Sequence, residues 1–272
     1  MSALRVWVFA VASLPSLLAP RLASAGFSFD DFAVAPFETG TLSGNGSFQQ
    51  AYFSPFIAPI PGSANSRTVS CRTTSRAAGP GGPYSQVSAR IASAGGLATF
   101  TGAANWNSGG VNSAGSRSAY AEVNQRISYG AGSGVPQSMD WTTYSSVEFS
   151  GSGSWSGSNS GGVISKREFF FELKSGTATR IWTSTFTSST LSSFQFDLST
   201  GFQDSGLFDL QQVSEVAFGF LVIGKAGTQE GTSNGSGTYS LSYQMASFTV
   251  VPSVGVLPAL AVVGTFRRRS RR

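Results

Sequence analysis

Apolar residues recur at every second position over much of the chain. Val216, Phe218, Phe220 and Val222 alternate with Ala217, Gly219 and Leu221, which predicts a strand buried on both faces. Phe194, Phe196 and Leu198 alternate with Ser193, Gln195 and Asp197, the pattern of a strand with one wet face. Segments 168–173 and 178–186 flank Lys174-Ser175-Gly176-Thr177, which predicts a hairpin turning at Ser175-Gly176. The last strand carries Tyr239, Leu241, Tyr243 and Met245, then changes parity to Phe248 and Val250. One extra residue, a β-bulge near Ala246 and Ser247, reconciles its two halves. Further strands are expected over 27–34, 46–53, 67–72, 86–92, 97–102, 119–129 and 145–150. A helical turn is expected only around 207–213. The Ser/Gly tract 151–162, with Trp155 inside it, reads as an exposed loop, and Gly79-Pro80-Gly81-Gly82-Pro83 as a second break. Neither divides the pattern into self-sufficient halves. The expected fold class is therefore all-β, a single antiparallel β-sandwich.

Composition narrows the chemistry more than the fold. Histidine is absent and Cys71 is the single cysteine, so His-dependent triads, His-ligated metals, intramolecular disulfides and multi-cysteine sites are excluded. The net charge of +5 suggests nucleic acid until it is divided along the chain. Seven of the 18 basic residues (Arg5, Arg21, Arg267, Arg268, Arg269, Arg271 and Arg272) lie at the ends, leaving 11 against all 13 acidic residues in the body. No basic patch remains there, and no nucleic-acid partner is expected.

The two ends carry addresses. Arg5, an apolar stretch over 6–18 and the small residues Ala23-Ser24-Ala25 form the three parts of a Sec signal peptide over 1–25, with a mature start at Gly26. This predicts the Sec machinery and signal peptidase as partners. At the other end Val251-Pro252-Ser253-Val254 leads into an apolar segment closed by Arg267, Arg268, Arg269, Arg271 and Arg272. As a helix, the 13 residues 254–266 reach ~20 Å, short of a ~30 Å hydrocarbon core. The arginines form a basic end that stays cytoplasmic by the positive-inside bias.

Short Pro-containing motif, apolar helix and basic end, in that order, resemble the PEP-CTERM sorting signal of Gram-negative envelopes. The resemblance covers the tail 250–272. It implies an exosortase-type transpeptidase as partner, a transient stay in the inner membrane, and release to the cell surface or extracellular matrix. The usual Val-Pro-Glu-Pro is here Val251-Pro252-Ser253-Val254, so an uncut membrane tail stands as the alternative.

The body, 26–249, resembles carbohydrate-binding-module-type jelly rolls of the galactose-binding-like class. The resemblance rests on Asp30-Asp31-Phe32 with Glu38 and Gly40, on 140–149, and on Phe196-Asp197-Leu198 and Phe208-Asp209-Leu210 running through Val216-Ala217-Phe218. It implies a jelly-roll-like sandwich and an extracellular polysaccharide as a candidate partner. Structural calcium is a further implication, with Asp31 and Glu38 as candidate ligands. Where that family's closing strand usually adds an aspartate, this chain has Ala246.

Sugar rings are bound by aromatic faces, so the tryptophans of the body are candidates. Trp106 in a polar, Gly-flanked stretch and Trp155 in the Ser/Gly tract are expected to be exposed, and Trp182 alternates with Arg180 and Ser184 as on an outer face. Core packing is the alternative for each. Glu168 and Glu172 are the nearest carboxylate pair on one strand face, but four residues at ~3.3 Å put them ~13 Å apart, too far for glycoside hydrolysis. No cofactor and no catalytic residue is expected. The sequence reading is an exported, non-catalytic surface protein, with a carbohydrate-binding module as alternative and a carboxylate-based hydrolase well behind.

Overall fold

The computed structural model describes residues 26–33, 36–44, 46–55, 66–79, 83–109, 117–130 and 138–253. The signal segment 1–25 and the tail from Val254 onward lie outside them. The chain forms β1 (Phe27–Asp30), β2 (Leu42–Gly44), β3 (Ser47–Pro55), β4 (Ser66–Ala78), β5 (Tyr84–Ala94), β6 (Leu97–Asn107), β7 (Ser118–Tyr129) and β8 (Tyr144–Ser160). It continues through β9 (Val163–Ser175), β10 (Ala178–Thr185), β11 (Thr190–Leu191), β12 (Phe194–Asp197), β13 (Phe202–Ser205), β14 (Glu215–Gly227) and β15 (Ser236–Pro252). Short 3-10 turns occupy Leu198–Thr200, Leu210–Gln212 and Thr228–Glu230.

All of these strands pair antiparallel, in two sheets. Sheet A has eight strands in the order β11-β8-β15-β6-β5-β2, with β1 joining beside β15 and β12 beside β8; sheet B has seven, in the order β13-β10-β9-β14-β7-β4-β3. One hydrophobic core lies between them, an all-β, sandwich-like arrangement. Its centre is aromatic. Phe149 stacks on Phe248 with ring centroids 4.7 Å apart, Phe169 on Phe194 at 4.2 Å, and Phe100 meets Phe220 edge-on at 5.3 Å. Such pairs add to the burial of their apolar area. Gln125 of β7 crosses between the sheets and donates through Nε2 to the carbonyls of Arg90 and Thr101 at 2.9 and 2.8 Å.

The expected hairpin is β9–β10, with Gly176 at φ 60° in its turn, where a β-carbon would be strained. The expected bulge lies in β15, where the register against β8 shifts between Met245 and Ser247. Its cause is a change of neighbour. Residues 236–245 of β15 pair with β6, and residues 248–250 pair with β1.

Two expectations need correction. The Ser/Gly tract is no loop: β8 runs through it to Ser160, paired with β15 over most of its length. The first strand stops at Asp30, because Phe32 takes φ 57° and the chain turns away. The last strand runs on past Val250 to Pro252, and the Ser253 N–H donates to Thr143 O at 2.7 Å.

Candidate functional site

The three candidate tryptophans are buried: Trp106 is 0% exposed, Trp155 5% and Trp182 4%. This corrects the expectation of exposed ring faces, and glycines supply the reason. A β-carbon on Gly224 would lie 2.5 Å from the Trp106 ring, and one on Gly237 would overlap it. Trp155 lies against Gly157, where a β-carbon would come 2.9 Å from Cζ2, and a β-carbon on Gly201 would overlap Trp182. For Trp155 a glycine of the Ser/Gly tract itself lies against the ring, and for Trp106 and Trp182 the glycines come from distant parts of the chain. Trp155 also stacks on Tyr239 at 5.5 Å, and Trp182 Nε1 donates to Asp197 O at 2.8 Å. None of these rings offers a sugar platform in this conformation.

The candidate calcium ligands are not brought together. Asp31 Oδ1 accepts the Ala33 N–H at 3.1 Å, fixing its own turn, and Glu38 pairs with Arg90 at 2.8 Å. Among the described residues no three metal-ligating side chains cluster. Glu172 accepts from Arg126 and pairs with Lys174, while Glu168 lies beside Lys166. Burial alone would raise the Glu172 carboxyl, but the Arg126 hydrogen bonds and charge, with Lys174, outweigh it and hold it below the usual range. Cys71 is buried with its Sγ 3.5 Å from Thr39 Oγ1; desolvation pushes the thiol up to about 11, which leaves it unreactive at neutral pH.

The two outer faces of the sandwich have opposite chemistry. On sheet B, Arg126 binds both Glu172 and Glu215 at 2.8 Å, Lys174 joins the same two carboxylates, and Arg76 binds Glu230 at 2.7 Å. The Arg126, Glu172, Glu215 and Lys174 side chains gather over the start of β14, where the outward Ala217 is fully buried. On sheet A the registers align small polar residues in rows across four strands. From β8 to β5 the rows read Ser158–Thr238–Asn105–Gln86, Ser156–Ser240–Ala103–Ser88, Ser154–Ser242–Thr101–Arg90 and Ser152–Gln244–Thr99–Ala92. The sites form a grid of about 4.8 Å between strands and ~6.8 Å along them. Arg90 is its one charged member, and it is paired to Glu38. A shallow groove of about 470 Å³ crosses the face between Ser43, Gln86, Ser88, Asn105 and Thr238.

The sequence reading missed this face because glycine and serine were taken as loop signals. The available signal was period 2 in serine itself: Ser152, Ser154, Ser156 and Ser158 alternate with Gly153, Trp155 and Gly157, matching Thr238, Ser240 and Ser242 across β15.

A third feature lies where the described chain begins and ends. β1 pairs with the last residues of β15, Phe27 opposite Val250, and a β-carbon on Gly26 would lie 2.7 Å from Thr249 Cγ2. Gly26 and Ser253 thus leave the sandwich from the same end. β1 is fixed there by a buried ion pair, Arg67 Nη1 to Asp30 Oδ2 at 2.8 Å, to which Tyr129 donates its hydroxyl at 2.8 Å. Burial and the Asp30 charge raise the Tyr129 hydroxyl well above its usual range, so it remains a donor. Arg67 also covers the Phe37 ring at 4.5 Å. Of the sorting residues, Val251 and Pro252 are the last rungs of β15, opposite Ser146 and Tyr144 of β8. Val254, the five terminal arginines, Ala23 and Ala25 lie outside the described residues, so neither the signal peptide nor the C-terminal helix is described.

No model of a known protein family matches the chain, and comparison with curated proteins yields no relative.

Proposed function

We propose that this chain is an exported bacterial surface or matrix protein whose β-sandwich is non-catalytic and whose two ends are processed side by side. The observation that carries the reading is the pairing of β1 with the end of β15, which sets Gly26 against Thr249 and Val250. A domain delivered by a signal peptide and held by a C-terminal tail is tethered at both ends to one membrane. Termini that leave from one end of the sandwich suit that arrangement without crossing the fold. Because Val251 and Pro252 are strand residues and Ser253 is hydrogen-bonded to Thr143, a cut by an exosortase-type enzyme falls beyond Ser253. Any cut upstream has to unzip β15 from both β1 and β8. The resemblance to galactose-binding-like jelly rolls belongs to this reading and is supported by two antiparallel sheets around one core.

The test is surface exposure. Cells producing the full chain are treated with an externally added protease and probed with antibody to the sandwich. Digestion in intact cells, before any lysis, is the expected result; protection until the inner membrane is opened contradicts it.

The uncharged groove on sheet A favours a second reading, recognition of a neutral extracellular polysaccharide. Its side-chain hydroxyls and amides match the hydrogen bonding of sugar hydroxyls, and they replace the buried tryptophans as the candidate contact set. Retardation of the protein in gels containing neutral polysaccharide, abolished by Ser88→Lys, is the expected result for that reading. Unretarded migration in every such gel removes it.

A further inference from the structure

Sheet edges expose unpaired backbone groups, and β proteins blunt them with short strands, charge or proline. Among the described residues the other outermost strands follow that rule by being short: β2 has three residues, β1 four, β11 and β12 two and four in sheet A, and β13 four in sheet B. The remaining outermost strand does not. β3 is nine residues long, Ser-Phe-Gln-Gln-Ala-Tyr-Phe-Ser-Pro, with no charge and no proline before its last position. It pairs with β4 at every position, and among the described residues no strand lies on its other side.

The core is also unfinished at this edge. Phe48, Gln50 and Tyr52 are opposite Thr73, Cys71 and Val69, whose side chains are buried in the core, so all three lie on the inward face of sheet B. Sheet A stops short above them at β2, which leaves Phe48 and Tyr52 each 39% exposed. An antiparallel copy of β3 centred on Gln50 places Phe48 opposite Tyr52 of the second copy, and Tyr52 opposite its Phe48. Aromatic cross-strand pairs form on the same inward face, with no like charges opposed. The strand is complementary to itself in that register.

We infer that β3 is a homotypic interface, through which two copies of this chain join their seven-stranded sheets into one continuous sheet about a two-fold axis at Gln50. Because the opposite edge of sheet B is short, the association closes at a dimer and does not propagate into a filament. This goes beyond the surface-protein reading and does not depend on it.

The test uses the full chain with its export signals, recovered in the form the host leaves it, and measures mass by sedimentation equilibrium. Wild type is expected at twice the monomer mass. Gln50→Lys and Gln50→Glu each place like charges across the axis and are expected to sediment as monomers, with circular dichroism unchanged and with melting that, unlike that of the wild type, does not depend on protein concentration. Mixing the two variants is expected to restore the dimer, and native mass spectrometry to find one chain of each kind in it. A variant that fails to fold is identified by its spectrum, and Phe48→Ser then takes its place, again expected as a monomer. A monomeric wild type at the highest soluble concentration, a dimer that survives Gln50→Lys, or wild-type filaments each overturn the inference.

Discussion

The two outer faces of the sandwich are stabilised from opposite sides. Sheet B is closed from above: Arg126, Glu172, Glu215 and Lys174 form an ion-paired lattice over the start of β14 and the end of β9. Sheet A is supported from beneath. Glycines 157, 224 and 237 admit the rings of Trp106 and Trp155 under the sheet, and its surface carries rows of Ser, Thr, Asn, Gln and Ala with Arg90 as the one charge. A face whose charges satisfy each other presents a wet, self-contained surface to any partner. On the hydroxyl face Ser158 and Thr238 bond each other and Thr101 bonds the Arg90 carbonyl, and the grid as a whole carries no net charge. Stability thus rests on rings and ion pairs, while the polysaccharide recognition proposed above draws on the hydroxyl face.

The largest expected effect tests the support under sheet A. Trp106→Ala is expected to lower unfolding free energy by about 3–5 kcal/mol in chemical denaturation, the range for deleting a fully buried aromatic side chain. A loss under about 1 kcal/mol would return the ring to the surface and remove the contrast. Next is the buried ion pair beneath β1. Asp30→Ala removes the buried carboxylate that Arg67 and Tyr129 share and is expected to cost about 3 kcal/mol. Hydrogen exchange is expected to quicken first in β1 and the end of β15.

The part-buried lattice on sheet B is worth less. Glu172→Gln is expected to cost about 1 kcal/mol at neutral pH, in the range for hydrogen-bonded charged groups near the surface. Its folded carboxyl titrates below the unfolded one, so the contribution is complete above the ordinary carboxylate range and is lost as pH falls through the folded value. Wild type is therefore expected to lose stability below about pH 4.5 more steeply than Glu172→Gln, measured by melting across pH. On the hydroxyl face, Ser154→Ala, Ser240→Ala and Ser242→Ala are each expected within about 0.5 kcal/mol of wild type. A larger cost would mean that the grid is itself structural. The smallest effect is a null one: Cys71 is expected to resist alkylation at pH 8 in the native protein and to react at once in denaturant.

Period-2 alternation was legible wherever it was written in large apolar residues. It located β14, the β9–β10 hairpin and the parity change in β15, because a buried face there requires Phe, Val, Leu or Tyr at alternate positions. It failed in β8, where the inward positions are Gly151, Gly153, Trp155 and Gly157 and the filling volume comes from Tyr243 of the neighbouring strand and from Trp155 itself. A glycine that makes room for a ring on another strand carries no local signal, and the same cause hid the burial of Trp106 and Trp182. The Asp30–Arg67–Tyr129 network joins residues 37 and 99 positions apart, a juxtaposition that only the closed fold supplies. The pairing of β1 with β15 was hidden for the same reason, although both segments were read as strands.

The measurement that tests the central claim most directly is the intact mass, with both termini sequenced, of the protein recovered from cells that make the full chain. Export and paired processing predict a chain that begins at Gly26 and ends just beyond Ser253, leaving β1 and β15 zipped together. A chain that still begins at Met1, or that retains Arg272 on surface-released material, would contradict it.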